Sequence, residues 1–205
     1  MKPIYTTMRL IFSISTVFLL LCAAACAQAP TIPNKDLQIA TAVMAAGEED
    51  RANATVYGYD SEGNVVKIRE GSNNTICVAD NPNQEGFNIA SYHINLEPFM
   101  ARGRALRAEG KNPQEIFDMR EKEAKEGSLK MPETPSTLQL VYGKEGKYNA
   151  ETGELEGTKY RSVVYIPWAT AESTGLPLKP VVPGAAWLMD PGTHRAHIMI
   201  TPPQE

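Results

Sequence analysis

The spacing of apolar side chains changes several times along the chain, and each change marks an element. Residues 10–21 form an apolar core without a charge. Leu37, Ala40, Val43 and Met44 then recur at helical spacing, between Asn34 as a cap and Gly47 as a stop. From Ala54 the period falls to two. Residues 55–59 and 65–69 are β-rich runs joined by Asp60-Ser61-Glu62-Gly63-Asn64, turn chemistry of hairpin length. Gly71-Ser72-Asn73-Asn74 leads into a third run over 75–79, so residues 54–79 are expected to form an antiparallel meander, ended by Asp80-Asn81-Pro82-Asn83.

The helical period returns with Leu96, Phe99, Met100, Ala105 and Leu106, an apolar face interrupted by Gly103 and stopped by Gly110. Asn112-Pro113-Gln114-Glu115 combines a cap, proline at the first helical position and a glutamate three residues after the cap. The helix it opens turns Ile116, Phe117, Met119 and Ala124 inward. Its other face, Arg120 to Glu126, carries charges of both signs and reads as solvated. Pro132 and Pro135 separate this pair from a second β-rich half. Its strands are expected over 138–142, 160–168, 185–189 and 197–201, with 143–158 a long hairpin tip or loop. The proline-dense stretch after Trp168 permits only short strands and turns. The expected fold is α+β: an antiparallel sheet drawn from both ends of the chain, with a central helical pair packed on it and a signal helix in front.

Arg9, the apolar run 10–21 and the small-residue tract 23–27 make the tripartite layout of a secretory signal. Met8 is an alternative start that leaves this layout intact. A membrane anchor needs about 20 predominantly apolar residues, and this stretch falls short before Gln28. Ala23-Ala24-Ala25-Cys26 resembles the lipobox of bacterial lipoproteins, with alanine where leucine is usual at position 23. That resemblance implies lipid attachment at Cys26, whereas Ala25-Cys26-Ala27 is equally an A-x-A site for release. The expected organisation is a signal over 1–27, a tether over 28–34 and one α+β domain over 35–205. The destination is extracytoplasmic: periplasmic, anchored at the outer membrane, or secreted.

Charge narrows the partners. Without Lys2 and Arg9, 18 basic residues stand against 24 acidic ones, a net charge of −6. Nucleic-acid binding rests on clustered Lys and Arg, so nucleic acid is not expected as a partner. Membrane contact is expected through the N-terminal lipid only. Once Cys22 and Cys26 are removed or acylated, Cys77 is the one thiol left, and the core must hold the fold without a disulfide.

The strong linear signatures of nucleophile elbows, phosphate loops and zinc proteases are missing from the sequence. Weaker candidates remain. His194 and His197 have the spacing of metal ligands on a helix, but the alternating run Ile198-Met199-Ile200 is strand-like and would point them to opposite faces. A metal site would need Asp190 or His93 as further ligands. The alternative is one solvent-facing and one half-buried structural histidine, and no metal or cofactor is expected. Cys77 is a nucleophile if a histidine reaches it and an inert core thiol otherwise. Arg102, Arg104 and Arg107 can receive an anionic ligand or pair with Glu97 and Glu109 on their own helix. Trp168 and Trp187 can line a cleft for a sugar or peptide, or pack in the core.

The segments 69–77 (REGSNNTIC) and 196–200 (AHIMI) resemble exported bacterial proteins of uncharacterised function, a resemblance that brings no catalytic residues with it. Two functions are therefore expected to compete. The first is a cell-envelope protein acting by binding or structure. The second is a small extracytoplasmic hydrolase using His93, His194 or His197 with Cys77 or Asp190.

Overall fold

A computed structural model describes residues 31–203; the signal segment and Cys26 lie outside the described residues. The protein is mixed α and β, with a mostly antiparallel sheet and a few helices. Asn34 caps α1 (Lys35–Ala42) through a bond from Leu37 N to its side chain, and a 3-10 turn extends the helix to Ala45. The face it buries most fully is Gln38, Thr41, Ala42 and Ala45, rotated from the expected Leu37, Ala40, Val43 and Met44, of which Val43 and Met44 still pack partly against the core. Gln38 explains the rotation. Its amide donates to Tyr59 O and accepts from Tyr59 N, at 3.0 and 2.7 Å, supplying a strand-like partner to buried backbone. A short α2 (Glu48–Arg51) then leads to β1 (Thr55–Tyr59).

The hairpin of β1 with β2 (Val65–Arg69) has the bounds its turn chemistry predicts. The meander does not form. β3 (Thr75–Val78) pairs with β1, in parallel, and leaves β2 at the sheet edge. Burial decides the order, because β1 is almost wholly buried while β2 stays largely accessible. The 70–74 connection must then cross the start of β1. Ser72 N and Asn73 N bond Asn53 O there, and a Cβ on Gly71 would lie 2.2 Å from Thr55 N, so only glycine fits.

β4 (Phe87–His93) is a central strand that the hydrophobic pattern did not announce. It is covered on both faces, so both parities carry apolar residues and the alternation is lost. Phe87 and Ile89 pack with Ala45 beside α1, while Tyr92 packs with Phe99 on the opposite face. After a 3-10 turn come α3 (Glu97–Ala108) and α4 (Pro113–Lys125), the latter opened by the complete Asn112–Glu115 capping box. Phe99, Met100, Ala124 and Leu129 share one cluster with Ile76, Leu138, Val163 and Tyr165 of the sheet.

β5 (Ser136–Gly143) pairs with β4 and with β8 (Lys159–Tyr165). Between them β6 (Lys147–Asn149) and β7 (Glu154–Glu156) form a separate two-stranded hairpin. β8 stops at Tyr165, short of the expected Trp168, because Pro167 has no N–H to continue the ladder and Trp168 turns to φ 67°. A four-residue helix α5 (Ala171–Thr174), β9 (Trp187–Met189) and β10 (His197–Ile200) complete the chain. The sheet order is β2-β1-β3-β4-β5-β8-β10-β9. Among the described residues no helix is long and apolar enough to cross a membrane.

Candidate functional site

Titratable side chains meet where α4 touches the turn between β9 and β10. On α4, Ile116 and Arg120 share one stripe, and Phe117, Glu121 and Lys125 the next, each four residues apart. The first stripe is buried against α3. The second faces the turn. Glu121 Oε2 accepts from the backbone N of His194 at 2.9 Å and from its ring Nδ1 at 2.5 Å, and Oε1 accepts from Lys125 Nζ at 2.7 Å. Partial burial raises the Glu121 carboxyl, but the bonds from Lys125 and from the backbone and ring of His194 outweigh it and hold the group at about 2.

His194 is 0% exposed, and neither histidine of the pair faces solvent as one was expected to; His197 is 5% exposed. The ring centroids of Phe117 and Phe99 lie 4.9 and 5.7 Å from that of His194, both edge-on. Burial pushes the imidazole below its ordinary range, and the neighbouring Arg120 and Arg195 act in the same direction against Glu121. The neutral ring therefore carries its proton on Nδ1, toward the carboxylate, and leaves Nε2 as a lone-pair acceptor. That Nε2 and Arg120 Nε are the buried side-chain polar atoms without a partner among the described residues.

Arg120, expected on a solvated face, is only 9% exposed. Its guanidinium lies 3.9 Å above the Phe99 ring and donates to Phe99 O at 3.2 Å, and burial lowers its pKa to about 10. A Cβ on Gly103 would meet Arg120 Nη1 at 2.9 Å, which gives the gap in the α3 apolar face its physical reason. Asp190, at φ 52°, accepts from Arg195 Nε at 2.6 Å. His197 donates through Nδ1 to Arg195 O at 2.7 Å, and its ring lies 5.3 Å from that of Tyr165. Burial lowers its pKa too.

The other candidates lie elsewhere. His93 ends β4 and uses Nδ1 to accept from Asn95 N. Cys77 is 0% exposed among Ala42, Ala46, Val56 and Ala79 beneath α1, and burial pushes its thiol up to about 12. Arg102 grips Glu123 with two nitrogens and reaches Glu109. Arg104 donates to Glu97 at 2.6 Å and to Tyr92 Oη at 2.8 Å, and lies over the Tyr57 ring. Both phenols also donate to Glu97, closing a network with one acidic, one basic and two neutral members. Arg107 is exposed, Trp168 is 40% exposed and Trp187 is half-buried.

Chemically, Glu121 and His194 reproduce the carboxylate–imidazole half of a general-base triad, with the tautomer fixed for Nε2 to act. The site is sealed by Phe99 and Phe117, and Cys77 packs in a different cluster. Two open concavities, of about 580 and 450 Å³, lie at Asp80, Phe87, Tyr142 and Lys144 and at Ile32, Gln38, Tyr59 and Asp60. None of the candidate side chains lines either. Among the described residues, no three of the His, Cys, Asp and Glu side chains are grouped to hold a metal ion. Glu121 and Arg120 were missed by the sequence reading because their signs alternate along the helix. The available signal was position, since Arg120 stands one helical repeat after Ile116. No family model, curated protein or solved structure matches the chain.

Proposed function

We propose that this is an exported cell-envelope protein, delivered by residues 1–27, either held by lipid on Cys26 or released after Ala27, and that it acts by binding or as a structural component. The observation that carries the reading is the leader itself: a basic start, a charge-free apolar run and a small-residue tract containing one cysteine. The disposition of the candidate side chains supports action without catalysis. His93 caps a turn, Cys77 lies beneath α1, Asp190 is bound to Arg195 and His194 is enclosed. Intact mass of the chain from membrane and soluble fractions is the test. An acylated N-terminal Cys26, or an unmodified Gln28, is expected; full-length chains retaining Met1 or Met8 in the cytosol would refute export.

One observation favours the hydrolase reading, the close contact of His194 Nδ1 with Glu121 Oε2. It requires Nε2 to become reachable. Under a histidine-directed acylating reagent, modification of His194 in the native protein at a rate near that of His93 would support it, and protection of His194 would exclude it.

A further inference from the structure

The peptide bond between Asp190 and Pro191 combines backbone strain, a polarised carbonyl and a nucleophile in the same residue. A residue before proline is driven to extended backbone with φ of about −120°, yet Asp190 stands at φ 52°. Such a conformation stores energy and persists only where the surroundings hold it. The turn is held on every side: Gly192 N donates to Ala169 O, Trp168 N donates to Thr193 O, and Glu121 binds His194. The carbonyl oxygen of Asp190 belongs to the strained bond. It accepts from Thr193 Oγ1 at 2.8 Å and from Thr193 N at 3.4 Å. Donors already aimed at an oxygen that gains charge favour addition to its carbon. Arg195 Nε holds Asp190 Oδ2 at 2.6 Å, and Oδ1 accepts no bond among the described residues. Pro191 and Gly192 are exposed, so water reaches the bond.

We propose that the Asp190–Pro191 bond is a self-cleavage site, cut by the side chain of Asp190. Oδ1 adds to the main-chain carbonyl carbon of its own residue and closes a five-membered ring, a reaction within one residue that needs no encounter. The C–N bond to Pro191 then breaks. Its electron pair goes to the proline nitrogen, which takes a proton from solvent and departs as a secondary amine, more basic than the primary amine any other residue would give. A cyclic anhydride remains on residue 190, and water opens it to two carboxylic acids. One peptide bond and one water are consumed, and a new N-terminus at Pro191 and a new α-carboxylate at Asp190 are formed. Arg195, His197 and Tyr165 are the charged and titratable groups that face Asp190. The piece 191–205 carries β10, which keeps its ladders to β8 and β9, so the cut frees two chain ends in the turn and leaves the sheet joined.

The test follows the full chain at pH 6, folded and unfolded in urea, by mass spectrometry under denaturing conditions. Expected is release of 191–205 from the folded chain at least about 10-fold faster than from the unfolded one, because the strain and the Thr193 donors exist only in the fold. Thr193→Val should slow the release by about 10-fold or more, and Asp190→Ala should stop it. Hydroxylamine added to the folded chain should leave a hydroxamate on residue 190, the mark of the anhydride, which cutting by a contaminating protease does not leave. The urea and hydroxylamine arms use the unaltered chain and decide the matter even if a variant fails to fold. Release no faster than from the unfolded chain, cutting that persists in Asp190→Ala, or a product without hydroxamate would each overturn the proposal.

Discussion

Glu121→Ala removes one carboxylate and leaves two donors of His194, its backbone N–H and Nδ1–H, in a residue that is 0% exposed. Each buried donor left without an acceptor costs about 1–3 kcal/mol. The lost Lys125 pair adds little, since that side chain is 60% exposed. Together the expected destabilisation is about 4 kcal/mol, a large share of the roughly 5–15 kcal/mol that holds a domain of this size. Urea unfolding followed by circular dichroism at pH 7.5 reads it as a midpoint about 2 M lower, for a slope near 2 kcal/mol per molar. Lys125→Ala, the control on the same carboxylate, should shift stability by less than about 1 kcal/mol. Combining Glu121→Leu with His194→Phe removes the carboxylate and the ring donor together, leaves only the backbone N–H of residue 194 without its acceptor, and should recover part of the loss. If Glu121→Ala costs no more than Lys125→Ala, the two His194 donors find water, and the enclosure described for the ring is wrong.

Two further outcomes follow from the same structure. Gly71→Ala sets a Cβ against Thr55 N, Ala54 C and Asn53 O, all backbone, and must break the crossing bonds of Ser72 and Asn73 to Asn53 O. A loss of at least about 3 kcal/mol in the same unfolding assay is expected, and a neutral variant would contradict the β2-β1-β3 order. His194 and His197 both have depressed folded pKa values, so the unfolded chain binds protons that the folded chain refuses. Their stabilising contribution is complete above the unfolded value near 6.5 and is lost as pH falls through the folded values, at up to about 1.4 kcal/mol per pH unit for each ring. Glu121 adds a loss of its own between about 4.5 and about 2, in the same direction. Unfolding free energy that stays flat from pH 7 to pH 5 would refute the histidine part.

What could be read from the sequence was local, and what could not was a choice among partners. The hairpin of β1 and β2 and the start of α4 were legible because Asp60 to Asn64 and Asn112 to Glu115 each supply their own hydrogen bonds within a few residues. The place of β3 was not legible, because its own pattern fits β2 as well as β1 and only the burial of β1 selects between them. β4 was hidden by double coverage. Arg120 and Glu121 were misread for a related reason: a charged residue on an amphipathic helix is normally solvated, and their partners come from Phe99, 21 residues earlier, and His194, 73 residues later.

Among the described residues, two non-glycine residues have positive φ, Trp168 and Asp190, and they belong to one junction. Trp168 N donates to Thr193 O, and Thr193 Oγ1 donates to Asp190 O. Such backbone costs about 1–3 kcal/mol apiece and persists only where the surroundings over-determine it. The proline-rich 166–196 segment has few ladder bonds to offer, so the constraint comes from outside the sheet: Arg195 on Asp190, and Glu121 of α4 on His194. The Glu121 tie therefore acts as the fixed point from which the 166–170 and 190–196 turns are held against each other, through Ile166 N to Ala196 O and Gly192 N to Ala169 O. Trp168, held in a strained conformation with its side chain partly in solvent, is a by-product of that junction unless something binds it. Releasing the junction through Glu121 would free Trp168 from the constraint, which joins the stability of the buried dyad to a partly exposed aromatic side chain.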